Sequence, residues 1–338
     1  MTAELEARAD AAAAPVAGEA RPPGVRPPAR PRAAERRPSA RRRRWREARP
    51  ALLFLSPWII GFLVFTAWPM LYSAYLSLTD YDVINDPSFV GLDNYARLAS
   101  DEKLLLALEN TAVYTLLQVP LAILVSLGLA LLLDRAGRGS GFFRTVFFLP
   151  KMTPPVAVGV LFLLLFNGRD GLLNRALAAV GIDGPSWTTD PAWVKPGLVL
   201  MSLWTVGSSV IILLAALRAV PDTLYESAKL DGAGFWRTSL SITLPMISPA
   251  IFFIVVVNTI AGFQTFDEAY TAFFGAGNST YSNDAALFYV IYLFQQAFEY
   301  LHMGYASAMA WILFLVIMAV TAVQLVLSRR IVYYEGDR

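Results

Sequence analysis

Long apolar runs separated by short polar segments dominate this chain from residue 51 onward. Six runs are long enough to cross a hydrocarbon core, which takes roughly 20 apolar residues at about 1.5 Å of rise each. They are residues 51–79, 110–133, 152–168, 196–217, 238–266 and 303–328. The third is short and can begin earlier, at Phe142, while the fifth reads better as Met246 to about Ala272. A seventh apolar stretch, residues 285–298, has only 14 residues and suits an interfacial or partly re-entrant helix. The pattern predicts an all-α polytopic membrane protein with six spans, seven being the competing count.

Small residues one turn apart signal close helix packing: Ala122, Ser126 and Ala130 on the second run, Gly304 and Ala308 on the sixth. Pro57, Pro69 and Pro120 mark kinks or irregular ends.

Charge adds a direction. Of 28 Lys and Arg, 13 are Arg within residues 1–50, a stretch of Ala, Pro and Arg almost without large apolar side chains. Such a composition cannot bury enough surface to offset chain entropy, so residues 1–50 are expected to be a disordered tail. The cluster Arg41 to Arg46 stands directly before the first apolar run, where it suits cytoplasmic retention and contact with anionic membrane lipid better than nucleic acid. With the tail inside, the cytoplasmic side carries 22 Lys and Arg against 5 outside, and 9 against 5 without the tail. Both termini are therefore expected in the cytoplasm, with a permease domain over residues 51–330 and a short cytoplasmic tail over 331–338.

One polar connector differs from the others. Residues 226–245 fall between two apolar runs and are punctuated by Gly232 and Gly234. Thr223 to Glu226 fits a capping box after Pro221 and Asp222, predicting a two-turn helix to Asp231. The two glycines would supply positive φ for a cap and a turn. A second short helix over residues 235–242 would follow, and Leu244-Pro245 would redirect the chain into the membrane. Glu226 read alone could simply cap its helix.

Several chemistries are absent. No Cys is present, so disulfides and thiolate catalysis are excluded, and none of the four lysines lies in a phosphate-binding loop. His302 is the single His, which excludes a His-based metal cluster and reads as a contact before the sixth run. No catalytic residues, metal or cofactor are expected. The polar residues that suggest a solute pathway lie in the fifth run: Asn258, Gly262, Gln264 and Asp267, with Thr259, Thr265 and Glu268 beside them. For Asn258, interhelical hydrogen bonding and solute contact stand even. Gln118, Tyr114 and Trp204 are weaker candidates on other spans.

The connector resembles the cytoplasmic docking loop of the membrane subunits of ABC importers: Glu-Ala-Ala, three residues, Gly, nine residues, then Ile, any residue, Leu-Pro. Glu226, Ala228, Gly232, Ile242, Leu244 and Pro245 fall on that spacing, with Ser227 for the middle Ala and Ser239 where the family usually has Phe. Further likeness to carbohydrate-uptake permeases of the maltose and glycerol-phosphate type lies in residues 263–268, 275–280, 296–298, 303–308 and 329–335. The resemblance implies a type I ABC importer permease bundle for a sugar or sugar-like solute. By the same resemblance the chain would pair with a second homologous permease, two ATPase subunits and an extracytoplasmic solute-binding protein. Glu226, Ser227, Ala228, Asp231, Gly232, Ala233, Ile242, Leu244 and Pro245 (within residues 221–245) would dock on the ATPase. An ion-gradient-driven secondary carrier and a cargo-free membrane scaffold are the rival readings; the first requires an ionisable residue deep in a span, and the apolar runs show only neutral polar residues there.

Overall fold

A computed structural model describes residues 40–136, 139–168, 170–274 and 284–333. The stretches 275–280 and 334–338, and most of the N-terminal tail, therefore lie outside the described residues. The chain divides into two compact units, Met1–Leu63 and Val64–Arg338.

In the first unit, helix α1 runs over Ala40–Phe62, with Trp58 stacked on Phe62 at 5.7 Å between ring centroids. Residues 40–50 are thus helical, a correction to the tail expected through residue 50; Ala, Arg and Glu are good helix formers when an apolar helix follows directly.

The second unit opens with α2 (Trp68–Leu76), then a two-stranded antiparallel ribbon, β1 (Thr79–Asp80) with β2 (Ser88–Phe89). Helix α3 (Asp93–Ser100) leads into α4 (Glu102–Arg135), whose 34 residues span about 51 Å and exceed a hydrocarbon core. Next come α5 (Ser140–Phe148) and α6 (Pro155–Leu165), bent by 97° at Thr153-Pro154. The expected extension of the third span back to Phe142 is therefore not a straight helix, because Pro154 takes an extended ψ of 135° ahead of Pro155. After α7 (Leu172–Ala179), helices α8 (Pro191–Leu203) and α9 (Gly207–Ala219) meet at 52°. Among the described residues, counting each bent pair as one span gives six helices or pairs long and apolar enough to cross a membrane, with Leu52–Leu76, α4, Phe235–Phe273 and Met303–Arg330 as the other four.

The fifth span assembles from α11 (Phe235–Thr238), a π-type turn at Ser239–Thr243, and α12 (Leu244–Phe263). Leu244-Pro245 therefore does not redirect the chain, as the spacing had predicted; the helix passes through it. A similar wide turn, Leu63–Ala67, precedes Pro69. Both turns end two residues before a proline, which cannot donate to the carbonyl four residues back and whose ring crowds it. Opening the turn relieves that clash without stopping the helix. The chain breaks instead at Gln264–Phe266, where Phe266 has φ −141° and ψ −67°, before α13 (Asp267–Phe273).

The stretch at 285–298 forms α14 (Tyr289–Phe294) and a π turn, too short to span. It is packed inside the protein: Phe288, Tyr289 and Ile291 are fully buried between α4 and α15 (Met303–Ile331). Tyr289 donates its backbone N–H to Thr111 Oγ1 at 2.9 Å and its hydroxyl to the Met309 carbonyl at 2.9 Å. One core cluster joins the first half of α4 to α6, α8, α13, α14 and α15; a second joins its other half to α9 and α12. Ala122, Ser126 and Ala130 are buried in that second contact, as their spacing predicts. Gly304 lies so close to the Thr79 carbonyl that no side chain fits there, and Ala308 is fully buried.

Asp101 ties the start of α4 to α14 and α15. Its Oδ1 accepts from the Lys103 and Leu104 N–H groups at 3.0 and 3.2 Å, and its Oδ2 accepts from the Tyr292 and Tyr305 hydroxyls. The Arg97 guanidinium stands 4.2 Å over the Tyr305 ring. Burial pushes the Asp101 carboxyl up, but the hydrogen bonds from Tyr305, Tyr292 and the helix N–H groups outweigh it, and the net shift is below the usual carboxylate range. Burial, and then the bond to Asp101, push the Tyr292 hydroxyl up to about 12. A carboxylate with a depressed native pKa stabilises the fold above its unfolded value and loses that contribution as pH falls through the native one. Asp101→Asn is accordingly expected to lower the melting temperature at neutral pH, by the equivalent of about 1–3 kcal/mol for charge-assisted hydrogen bonds. Thermal unfolding in detergent should show the gap to wild type closing below about pH 4.

Candidate functional site

The polar connector folds as a compact knob at one end of the second unit. Helix α10 (Asp222–Leu230) starts after Pro221 and has no side-chain cap, so the predicted capping box does not form. Pro221 occupies the N-cap position, which places Thr223 inside the helix and leaves Glu226 exposed. At the other end Asp231 closes the helix and Gly232 adopts φ +70°. The Ala233 N–H bonds the Ala228 carbonyl at 2.9 Å and the Gly232 N–H bonds the Lys229 carbonyl at 3.1 Å, the paired pattern of a Schellman cap. Gly234 departs from expectation: its φ is −74°, and it serves as the extended N-cap of α11.

The knob is fastened from below. Ala228 is buried at 8% exposure, and the Tyr225 hydroxyl lies 3.2 Å from Thr243 Oγ1 across the turn. The Arg135 guanidinium at the end of α4 stands 4.6 Å over the Phe235 ring, and Arg218 at the end of α9 pairs with Asp134 at 3.4 Å. Ile242, Leu244 and Pro245 are half-buried and pack toward the bundle, while Ser227 and Asp231 face outward with Glu226. Ala233 is half-buried. Two large apolar side chains on this polar segment are strongly exposed, Leu230 at 89% and Trp236 at 75%. The sequence reading missed this apolar rim, although Leu230 and Trp236 flank Gly232 and Gly234 in the chain.

A polar cavity of about 280 Å³ lies between α4, α6, α8, α9 and α12. Asn258, Gly262, Gln264 and Asp267 all line it, so the four pathway candidates come together in one place. Tyr114 and Gln118 join them from α4, whereas Trp204 does not line it. Gly262 contributes backbone only: a Cβ there would stand 2.7 Å from Thr115 Oγ1, so this glycine permits α12 to cross α4 closely. Thr259 turns away, accepting from Gln324 Nε2 at 2.9 Å, which makes it an interhelical contact.

Glu268, placed beside the candidates by the sequence, lines the cavity with Asp267, and so does Lys151, which the sequence analysis did not single out. Lys151 sits in the 3-10 turn Leu149–Met152 at the 97° bend, and Asp267 and Glu268 open α13. Both breaks deliver charged residues to a pocket that a straight-helix reading of the sequence assigns to helix ends. Helices α6 and α13 are locked together nearby, since a Cβ on Gly159 would lie 2.8 Å from Thr271 Cβ. His302 Nδ1 lies 2.9 Å from Gln296 Oε1 ahead of α15, a contact as expected. Among the described residues no group of three or more metal-ligating side chains occurs.

Residues 118–333 match the family described as the binding-protein-dependent transport system inner membrane component. The chain is 41% identical over 286 residues to the probable ABC transporter permease protein YesP of Bacillus subtilis (strain 168), covering 84% of this chain and 91% of that one. It is 34% identical over 285 residues to the lactose transport system permease protein LacF of Rhizobium radiobacter, covering 82% and 93%. It is 33% identical over 290 residues to the sn-glycerol-3-phosphate transport system permease protein UgpA of Agrobacterium fabrum, covering 83% and 95%. A chain of a bacterial alginate ABC transporter, crystallised with an alginate pentasaccharide-bound periplasmic protein, shares the fold with TM-score 0.74 and 24% identity over 86% of this chain and 98% of that one. The multi-span helical bundle, the glycine-capped knob and these likenesses agree: the chain belongs to the family of binding-protein-dependent transport inner membrane components, the permeases of ABC importers.

Proposed function

We propose that this chain is the permease subunit of an ATP-driven carbohydrate importer, with the 221–245 knob and both termini in the cytoplasm. The observation that carries the reading is the knob itself, a rigid polar turn that exposes Leu230 and Trp236 while its underside is fastened to α4 and α9. Large apolar side chains held out in this way mark a surface that a partner covers. The partner is an ATPase subunit, which supplies the hydrolysis this chain lacks the phosphate loop to perform. A second related permease, a second ATPase and an extracytoplasmic solute-binding protein complete the assembly. The names of the relatives that carry lactose and glycerol 3-phosphate support a sugar or sugar-like solute.

Closure of the ATPases would push the knob, and the contact of Arg135 with Phe235 would pass that motion into α4, which borders the cavity through Tyr114 and Gln118. Arg135→Gln should cost about 0.5–1 kcal/mol of stability, the usual worth of an exposed cation–π contact. Its expected signature is more ATP hydrolysed per solute imported, with the ATPase still attached; an unchanged ratio would remove Arg135 from the path.

Because the chain has no native Cys, a single Asp231→Cys variant tests placement directly. A membrane-impermeant maleimide should label it in inside-out vesicles only, and a short bifunctional reagent should link it to the ATPase. Labelling in right-side-out vesicles, or no link to an ATPase in the purified assembly, would refute the reading.

A further inference from the structure

A second cavity, of about 270 Å³, separates the knob from the bundle. The end of α4 lines it from one side with Asp134 and Arg135, and the knob lines it from the other with Tyr225, Lys229 and Phe235. A ligand held there touches both the proposed ATPase-docking element and the helix that borders the polar cavity.

The charges of the lining do not cancel. Asp134 is paired at 3.4 Å with Arg218, a cation from outside the lining. Arg135 and Lys229 have no carboxylate partner among the described residues. Arg135 stands 4.6 Å over the Phe235 ring, and such a stack uses the face of the guanidinium, leaving the N–H donors in its plane for a ligand. Hydroxyls add to these donors. Tyr225 and Thr243 share one hydrogen bond at 3.2 Å, so one of their two protons remains to be donated. The Ser239 hydroxyl also borders the cavity and has no hydrogen-bond partner among the described residues. Two uncompensated cations with spare O–H donors suit an anion that carries several oxygens.

We propose that this cavity binds a phosphate group, held by Arg135 from the bundle and by Lys229 from the knob. The guanidinium fork matches phosphate oxygens, and the ammonium acts as a point charge beside it. The volume lies just under the range of about 300 to 1,000 Å³ of ordinary ligand sites, so the cavity admits a headgroup-sized phosphate rather than a nucleotide. Two sources present that chemistry, an anionic phospholipid of the cytoplasmic leaflet and a soluble organic phosphate. Helix α4 outruns the hydrocarbon core, so its end reaches the level of lipid headgroups. The role of the site rests on the importer reading above: a phosphate tied to both cations clasps the knob to α4 and lowers the ATP hydrolysed per solute imported.

Thr238 lines the cavity too, but its hydroxyl is committed to the Gly234 carbonyl at 3.0 Å, so it reports occupancy without holding the ligand. In the assembled complex, Thr238→Cys is labelled with a small maleimide in lipid discs of phosphatidylcholine alone, in discs containing phosphatidylglycerol, and in phosphatidylcholine discs with glycerol 3-phosphate. Potassium chloride at matched ionic strength is the control. Several-fold slower labelling of this chain is expected with phosphatidylglycerol, with glycerol 3-phosphate or with both, and whichever acts is the source. Chloride should leave the rate unchanged, Lys229→Gln should abolish the slowing, and Lys229→Arg should keep it. No slowing by either phosphate, slowing that chloride reproduces, or slowing that survives Lys229→Gln overturns the proposal. Labelling that is slow in the complex under every condition and fast in the isolated chain would mean that an ATPase side chain fills the cavity, which overturns it as well. Any of these results in a complex that retains its ATPase leaves the importer reading intact. A chain that purifies without an ATPase would sink that reading, and the same labelling of the chain alone would still decide the phosphate site.

Discussion

Gly232→Trp is expected to leave the chain inserted in the membrane and folded, yet to reduce ATP-driven uptake more than about tenfold, a loss of at least about 1.4 kcal/mol in coupling. Two features separate this from ordinary destabilisation. A Cβ built on Gly232 meets nothing within 4 Å, so any side chain there projects away from its own chain. The remaining cost is conformational, because φ +70° disfavours an L residue by about 1–2 kcal/mol. That cost falls on one exposed turn, whose loss leaves the bundle core untouched. Gly232→Asn sharpens the comparison, since Asn tolerates the left-handed region. The Asn variant should keep the Schellman cap and still impair docking, in proportion to its smaller size. Expression level, ATPase co-purification and uptake, measured together, decide the matter. Normal uptake by Gly232→Trp at normal expression would end the docking assignment.

Gly262→Val should produce a large structural effect. Its Cβ would lie 2.7 Å from Thr115 Oγ1 and 2.9 Å from Thr115 Cγ2, at the crossing of α12 and α4. Thr115 cannot swing aside freely, because its hydroxyl donates to the Thr111 carbonyl at 2.7 Å, and Thr111 in turn accepts from Tyr289. Overpacking of this kind costs about 1–3 kcal/mol, and it should appear as a lower melting temperature with a shortened half-life in detergent. Thr115→Ala should recover part of the loss in the double variant, a coupling that contacting residues show and distant ones do not. Asn258→Ala, by contrast, should change transport and leave the melting temperature nearly unaltered. A Gly262→Val variant as stable as wild type would mean that this close crossing is absent.

Much of the architecture was legible because it follows from composition over long windows. The spans follow from apolar length, the packing stripe Ala122–Ser126–Ala130 from small residues one turn apart, and the cap at Gly232 from a glycine at the end of a short amphipathic helix. Local chemistry misled where two rules competed. Thr223 and Glu226 have the spacing of a capping box, but Pro221 fixes an extended residue at the N-cap and starts the helix two positions earlier. Leu244-Pro245 looks like a stop, yet a wide turn at Ser239–Thr243 absorbs the proline and lets the helix continue.

The cavity was half legible. Polar residues in an apolar run drew attention to Asn258, Gln264 and Asp267, and all three reach it. Lys151 was missed because its role depends on a 97° bend, which residue patterns along a straight span do not encode. The burial of α14 was missed for a related reason. A short apolar helix looks the same in sequence whether it lies on the protein's surface or fills its core, and the burial of Phe288, Tyr289 and Ile291 with the hydrogen bonds of Tyr289 distinguishes the two.

The central claim is that separate ATPase subunits drive this permease through the 221–245 knob. Affinity purification of the chain from its native membrane in mild detergent, followed by identification of what co-elutes, tests it most directly. The account predicts recovery of an ATPase bearing a phosphate-binding loop and of a second multi-span permease, with both lost or reduced in the Gly232→Trp variant. Recovery of the chain alone, with ATP-independent uptake in vesicles, would contradict it.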